Sequence, residues 1–133
     1  MTSAAPQIWD IYHLLNFQQM DPPKDKFIAV TLVTATYFCG FVVSKRYPAF
    51  VQGNGSLHPC YAQMLKSEHS FLNVDSLVDC IKQHMVTPAD QIGMHQVGRV
   101  SRSTAMAMKI AVNACPRQTP KVQKYVSDLV LPS

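Results

Sequence analysis

Two pairs of cations and one hydroxyl stand where they could meet a phosphate chain. Lys24 and Lys26 open one apolar run, Lys45 and Arg46 follow the next, and Ser44 precedes that second pair while Tyr47 and Phe50 come after it. If the two runs pair as a hairpin, the start of the first lies near the end of the second. Four cations would then share one rim and hold phosphates while Tyr47 or Phe50 stacks on a base. The same charges also read as edge and loop residues that keep a hydrophobic hairpin soluble and discourage edge pairing. Ser44 taken alone reads as a strand-end hydrogen-bonding group.

Other constellations carry weaker chemistry. Asp75 and Asp79 lie four apart around Ser76, a spacing open to acid–base work or cation holding, but the pair reads first as a turn leading into a strand, with Asp75 capping and Asp79 on the polar side. His58, Cys60, Cys80 and His84 supply four possible zinc ligands, but without the tight Cys-x-x-Cys pair of ordinary zinc modules. No metal or other cofactor is expected. His69 and Cys60 form a formal base–nucleophile pair, with nothing nearby to activate the thiol. Neither a Gly-rich phosphate loop nor a Gly-x-Ser-x-Gly elbow is present. All four cysteines, Cys39, Cys60, Cys80 and Cys115, read as reduced thiols of a cytoplasmic protein.

The elements that must position these groups follow from patterning. Residues 1–20 are ambiguous: Ile8, Ile11, Tyr12, Leu14 and Leu15 suit a short helix, while Trp9 and Tyr12 suit an opening strand. Asp21-Pro22-Pro23 stops any regular element. The β-branched runs 26–32 and 37–44 predict a hairpin turning at 33–36, with further strands at 47–52, 60–66 and, shorter, around 77–80. Gly53-Asn54-Gly55 marks a turn. Thr87-Pro88-Ala89-Asp90 starts a helix of barely one turn before Gly93. A helix over 101–115 places Met106, Ile110 and Ala114 on one stripe, with Met106 and Met108 on opposite flanks. A last helix from Thr119-Pro120 buries Val122, Tyr125, Val126 and Leu129.

Short strands with Gly and Pro turns, then helices, predict an α+β fold with a strongly curved antiparallel sheet. The expected division is one domain over 1–133, with a β-barrel over 26–86 and a helical part over 87–130. A chain of 133 residues can bury roughly two thirds of its unfolded surface, enough for a core without staples. The apolar fraction of 47% excludes a disordered chain, and the low charged fraction of 15% points toward an apolar surface covered by another subunit. A formal charge of +4 permits nucleic acid without demanding it. No run reaches the roughly 18 apolar residues of a membrane helix, and Met1 to Asp10 lacks the basic residues of a secretory signal.

Four stretches together resemble the PemK/MazF-type growth-inhibitor superfamily of toxins. They are Pro22-Pro23-Lys24-Asp25-Lys26-Phe27, the strand end Val42-Val43-Ser44, the stretch from Phe71 to Cys80, and the Gly98-Arg99-Val100-Ser101 step into a helix. The likeness spans residues 8–128. It implies a small SH3-like barrel, usually dimeric, that cuts single-stranded RNA without a metal and is held by an antitoxin. Catalytic members resemble one another in an Arg-Pro step and a Thr. Here Lys26-Phe27 stands in the place of the first and Ser44 is the nearest counterpart of the second, so the resemblance gives Lys26 and Ser44 the catalytic places. Lysine is a point charge where arginine is a planar fork, so catalysis is weakened or lost. The competing expectation is a non-catalytic protein-interaction module on the same barrel, of phage or mobile-element origin.

Overall fold

Long runs of Val, Ile, Phe and Tyr favour a pleated sheet over a helix, and they supply its central strands. The computed structural model describes residues 5–18, 20 and 24–133. Its strands are β1 (Asp10–Phe17), β2 (Lys24–Val33), β3 (Phe38–Ser44), β4 (Tyr61–Met64), β5 (Ser76–Val86) and β6 (His95–Arg99). The helices are α1 (Ala49–Gln52), α2 (Arg102–Ala114) and α3 (Pro120–Ser127), with 3-10 helices at Gly55–Cys60 and Lys66–Glu68. The strands pair antiparallel in the order β4-β5-β3-β2-β1-β6 and curl into a half-barrel. The fold is α+β, with two C-terminal helices, as expected.

The predicted hairpin is β2–β3, turned by Thr34, whose N–H and hydroxyl both donate to the Tyr37 carbonyl at 2.9 Å. Its neighbours required corrections. The ambiguous N-terminal segment is a strand, because Ile11, Tyr12 and Leu14 pair with Ala29, Ile28 and Lys26. Asp21, Pro22 and Pro23 lie outside the described residues. Tyr47–Gln52 is not a third strand: Pro48 caps a short helix whose Val51 and Gln52 N–H groups donate to its carbonyl. Strand β5 has 11 residues rather than four, since a bulge opposite Gly40 to Val42 lets it follow β3 along its whole length.

Strand β6 falls inside the stretch expected to be helical. Its five residues pair with β1 and are half-buried or exposed, so they carry little hydrophobic signal. The helix expected from Thr87 is only a turn, held by Asp90 accepting from the Thr87 N–H and hydroxyl.

One face of the sheet carries Ile11, Ala29, Phe41, Val43 and Val78 against α2 and α3. The other carries Leu14, Phe17, Ile28, Val30, Phe38 and Val86. Helix α2 docks through Ala105, Met108, Ala111 and Val112, whereas Met106 and Ile110 are 48% and 68% exposed and Ala114 is exposed. The stripe predicted from Met106, Ile110 and Ala114 therefore faces outward. The sequence offers two apolar stripes on this helix, and the more apolar one is the wrong one. Helix α3 buries Val126 and half-buries Val122 and Tyr125, and Leu129, just past its end, is half-buried too.

Gly40 sits where β3 crosses β2 so closely that a Cβ there would stand 2.1 Å from the Ala29 carbonyl oxygen. The neighbour is backbone and cannot swing away. Gly40→Ala is expected to cost about 3 kcal/mol in urea unfolding. Gly53→Ala, with nothing within 4 Å of the added carbon, should stay within about 0.5 kcal/mol of the parent.

Candidate nucleic-acid interface

Residues directly opposed in an antiparallel sheet share a face, and every second residue along a strand returns to it. Ile28 opposes Val42, Val42 opposes Asp79, and Asp79 opposes Tyr61. Two residues along, Leu14 opposes Lys26 and Ser44 opposes Leu77. Continuing the Phe27–Val43 register by one residue sets Lys26 across from Ser44. The hairpin thus brings together the two residues given the catalytic places.

A cleft of about 1210 Å³ opens over this corner. Strands β2, β3 and β5 make its floor, and the segments 45–52 and 71–74 make its walls. Lys24, Lys26, Ser44, Lys45, Arg46 and Tyr47 all line it. Two carboxylates, Asp25 and Asp79, line the cleft along with the four cations. Asp25 accepts the Asn16 N–H at 2.8 Å, which holds that residue at its left-handed φ of 51°.

Tyr47 is less free than expected. Its ring is stacked on His58 at 4.3 Å and meets the edge of Tyr61 at 5.0 Å. Phe50, which lines the cleft and is 58% exposed, offers a stacking plane, with the Arg117 guanidinium 6.0 Å from its ring centre.

Asp79 is the site residue that sequence reasoning treated as architecture. It accepts from the Tyr61 hydroxyl at 3.0 Å through Oδ2 and from the Ile81 N–H at 3.0 Å through Oδ1. Burial raises its pKa, an effect opposed by those two donors and by the charge of Lys26. Burial lowers the pKa of Lys26, the positive charge of Lys24 lowers it further, and Asp79 pulls the other way. The spacing of Asp75 and Asp79 misleads, because Asp75 instead accepts the Lys66 N–H in a turn. The alternation Leu77, Asp79, Ile81 on a strand was the signal that could have placed Asp79 on an inner face.

No protein-family model matches this chain, and no curated protein matches it significantly.

The remaining constellations resolve as structure. Among the described residues no group of three or more His, Cys, Asp or Glu could hold a metal. His58 bonds to the Val51 carbonyl at 3.0 Å. His69 accepts the Ser101 N–H on Nε2, which leaves Nδ1 to donate to the Leu65 carbonyl, so both ring nitrogens are committed to joining a loop to the start of α2. The Cys60 thiol is buried and its pKa pushed up to about 12, chiefly by burial and then by Cys115, which makes it a poor nucleophile. The four cysteines are free and buried. Among the described residues no helix is long and apolar enough to cross a membrane.

His84, at the cleft edge and against the Phe17 ring at 5.9 Å, has its pKa lowered to about 4, first by burial and then by Lys82. A histidine harder to protonate folded than unfolded favours the unfolded chain in acid. Its stability contribution is therefore whole above its ordinary value of 6.5 and falls as pH drops toward 4. Urea unfolding across that window should show a declining stability that His84→Gln flattens.

Proposed function

We propose that the cleft binds single-stranded RNA, with its backbone phosphates on Lys24, Lys26, Lys45 and Arg46. The observation that carries this reading is the convergence of all four cations and Ser44 on one open cleft. A phosphate chain suits such a groove, because displacing its counterions onto fixed cations gives affinity without a shaped pocket. The exposed Phe50 beside Arg117 adds a plane on which a base can stack. The sequence resemblance to PemK/MazF-type toxins selects RNA as the polymer, and carries with it a homodimer and an antitoxin partner.

Cleavage without a metal is the further step of this reading. Lys26 is half-buried at the cleft floor, so its ammonium faces less competing water and can neutralise a phosphate or give up a proton to a leaving oxygen. Ser44 would hold the scissile group from the opposing strand. The observation on the side of a protein-interaction module is the outward stripe of Met106 and Ile110 on α2.

Fluorescence anisotropy with labelled oligouridine tests the binding. Four phosphate contacts predict a slope of about −3 in log affinity against log salt, reduced by about 1.4 in Lys45→Ala/Arg46→Ala. Absence of binding at low salt removes the proposal and leaves the interaction module, to be sought by pull-down. Incubation of RNA with the protein and a chelator tests cleavage. Fragments from the parent but not from Lys26→Ala/Ser44→Ala assign those two residues. RNA left intact by both limits the function to binding.

A further inference from the structure

We infer that Asp79 reads a guanine base through its Watson–Crick edge, which gives the cationic cleft a base preference. The inference rests on the RNA-binding reading and adds the identity of one recognised nucleotide.

A carboxylate on the floor of a phosphate-binding cleft works against affinity, since it repels the ligand's charge. The fold nevertheless holds Asp79 there in a fixed orientation. Among the described residues each oxygen accepts one bond, Oδ1 from the Ile81 N–H and Oδ2 from the Tyr61 hydroxyl. The Tyr61 ring is itself immobilised against Tyr47, which is stacked on His58. A carboxylate has about four acceptor positions, so each oxygen keeps capacity for one more donor. Among the described residues, the ion pairs are Arg99–Asp10 and Lys124–Asp128, so neither Lys26 nor another cation closes on Asp79. Asp79 lines the cleft, with one acceptor position left on each of two adjacent oxygens.

That arrangement asks for two donors side by side. Cytosine and adenine offer one amino group next to an acceptor, and uracil offers one N–H between two carbonyls. Guanine alone presents N1–H beside its N2 amino group, on an edge that an unpaired strand leaves accessible. A two-pronged contact of this type is worth roughly a tenfold or larger preference over a base that lacks one prong.

The test uses labelled oligouridine carrying one central guanosine, its inosine counterpart that lacks only the N2 amino group, and the all-uridine strand. Wild-type protein should bind the guanosine strand about tenfold more tightly than the inosine strand. Asp79→Asn should erase that difference, and Tyr61→Phe, which keeps the carboxylate but removes its anchor, should shrink it. Equal binding of all three strands by the wild type overturns the base reading and leaves phosphate binding intact. A guanosine preference that survives in folded Asp79→Asn, checked by thermal melting, overturns the role of Asp79. Failure to bind any strand overturns the underlying RNA reading. Should Asp79→Asn not fold, the guanosine–inosine comparison and Tyr61→Phe still decide.

Discussion

The pairing of β2 with β3 is the constraint on which the rest of the molecule depends. Its register runs from Phe27 against Val43 to Val33 against Phe38, and it is broken once, between Val30 and Leu32. A slip of one residue would turn one strand over relative to the other. Were β2 the one to turn, Ile28 and Val30 would leave one core and Ala29 the other, and Lys26 would no longer share the cleft with Ser44. Because both faces are buried, the register is held from two sides, and Gly40 adds a close backbone approach that only a residue without a Cβ permits.

Around that pair, polar groups tie connections to the sheet. His69 joins the loop after β4 to the first turn of α2, whose Ser101 cap also donates to Glu68 at 2.9 Å. Arg99 meets buried Asp10 at 2.7 Å across the β1–β6 ladder. The Lys109 ammonium donates to the Ser127 and Leu129 carbonyls, which fixes the end of α3 to α2. Of these, the His69 bonds lie beside the 71–74 wall of the cleft, and the others tie β1, β6, α2 and α3 together behind it.

The strands at the centre of the sheet were legible because apolar, β-branched and aromatic residues dominate 26–32 and 37–44. The rim that gathers Lys24, Lys26, Lys45 and Arg46 followed from reading those runs as a hairpin. What escaped was decided by distant parts of the chain. Nothing local in His95–Arg99 marks a strand, since it exists by pairing with β1. Tyr47–Gln52 has strand-like residues, yet Pro48 opens a helical turn there. On α2 two stripes competed, and Thr104, Ala105 and Ala111 won because small side chains let the helix approach β4 and β5. Asp79 looked like the solvent side of a strand because its partner, Tyr61, lies 18 residues away.

The Trp9 indole donates to the Val130 carbonyl at 2.7 Å, and the Trp9 carbonyl accepts the Val100 N–H at 2.8 Å. During synthesis β1, β2 and β3 can zip together early, but one edge of β1 and the Trp9 ring must wait for residues some 90 to 120 positions downstream. Until those emerge from the ribosome, the nascent sheet exposes an unsatisfied strand flank and a large aromatic surface, the two features that invite wrong partners. The seam of the sheet thus stays open until His95–Arg99 has paired with β1 and Val130 has met the Trp9 indole.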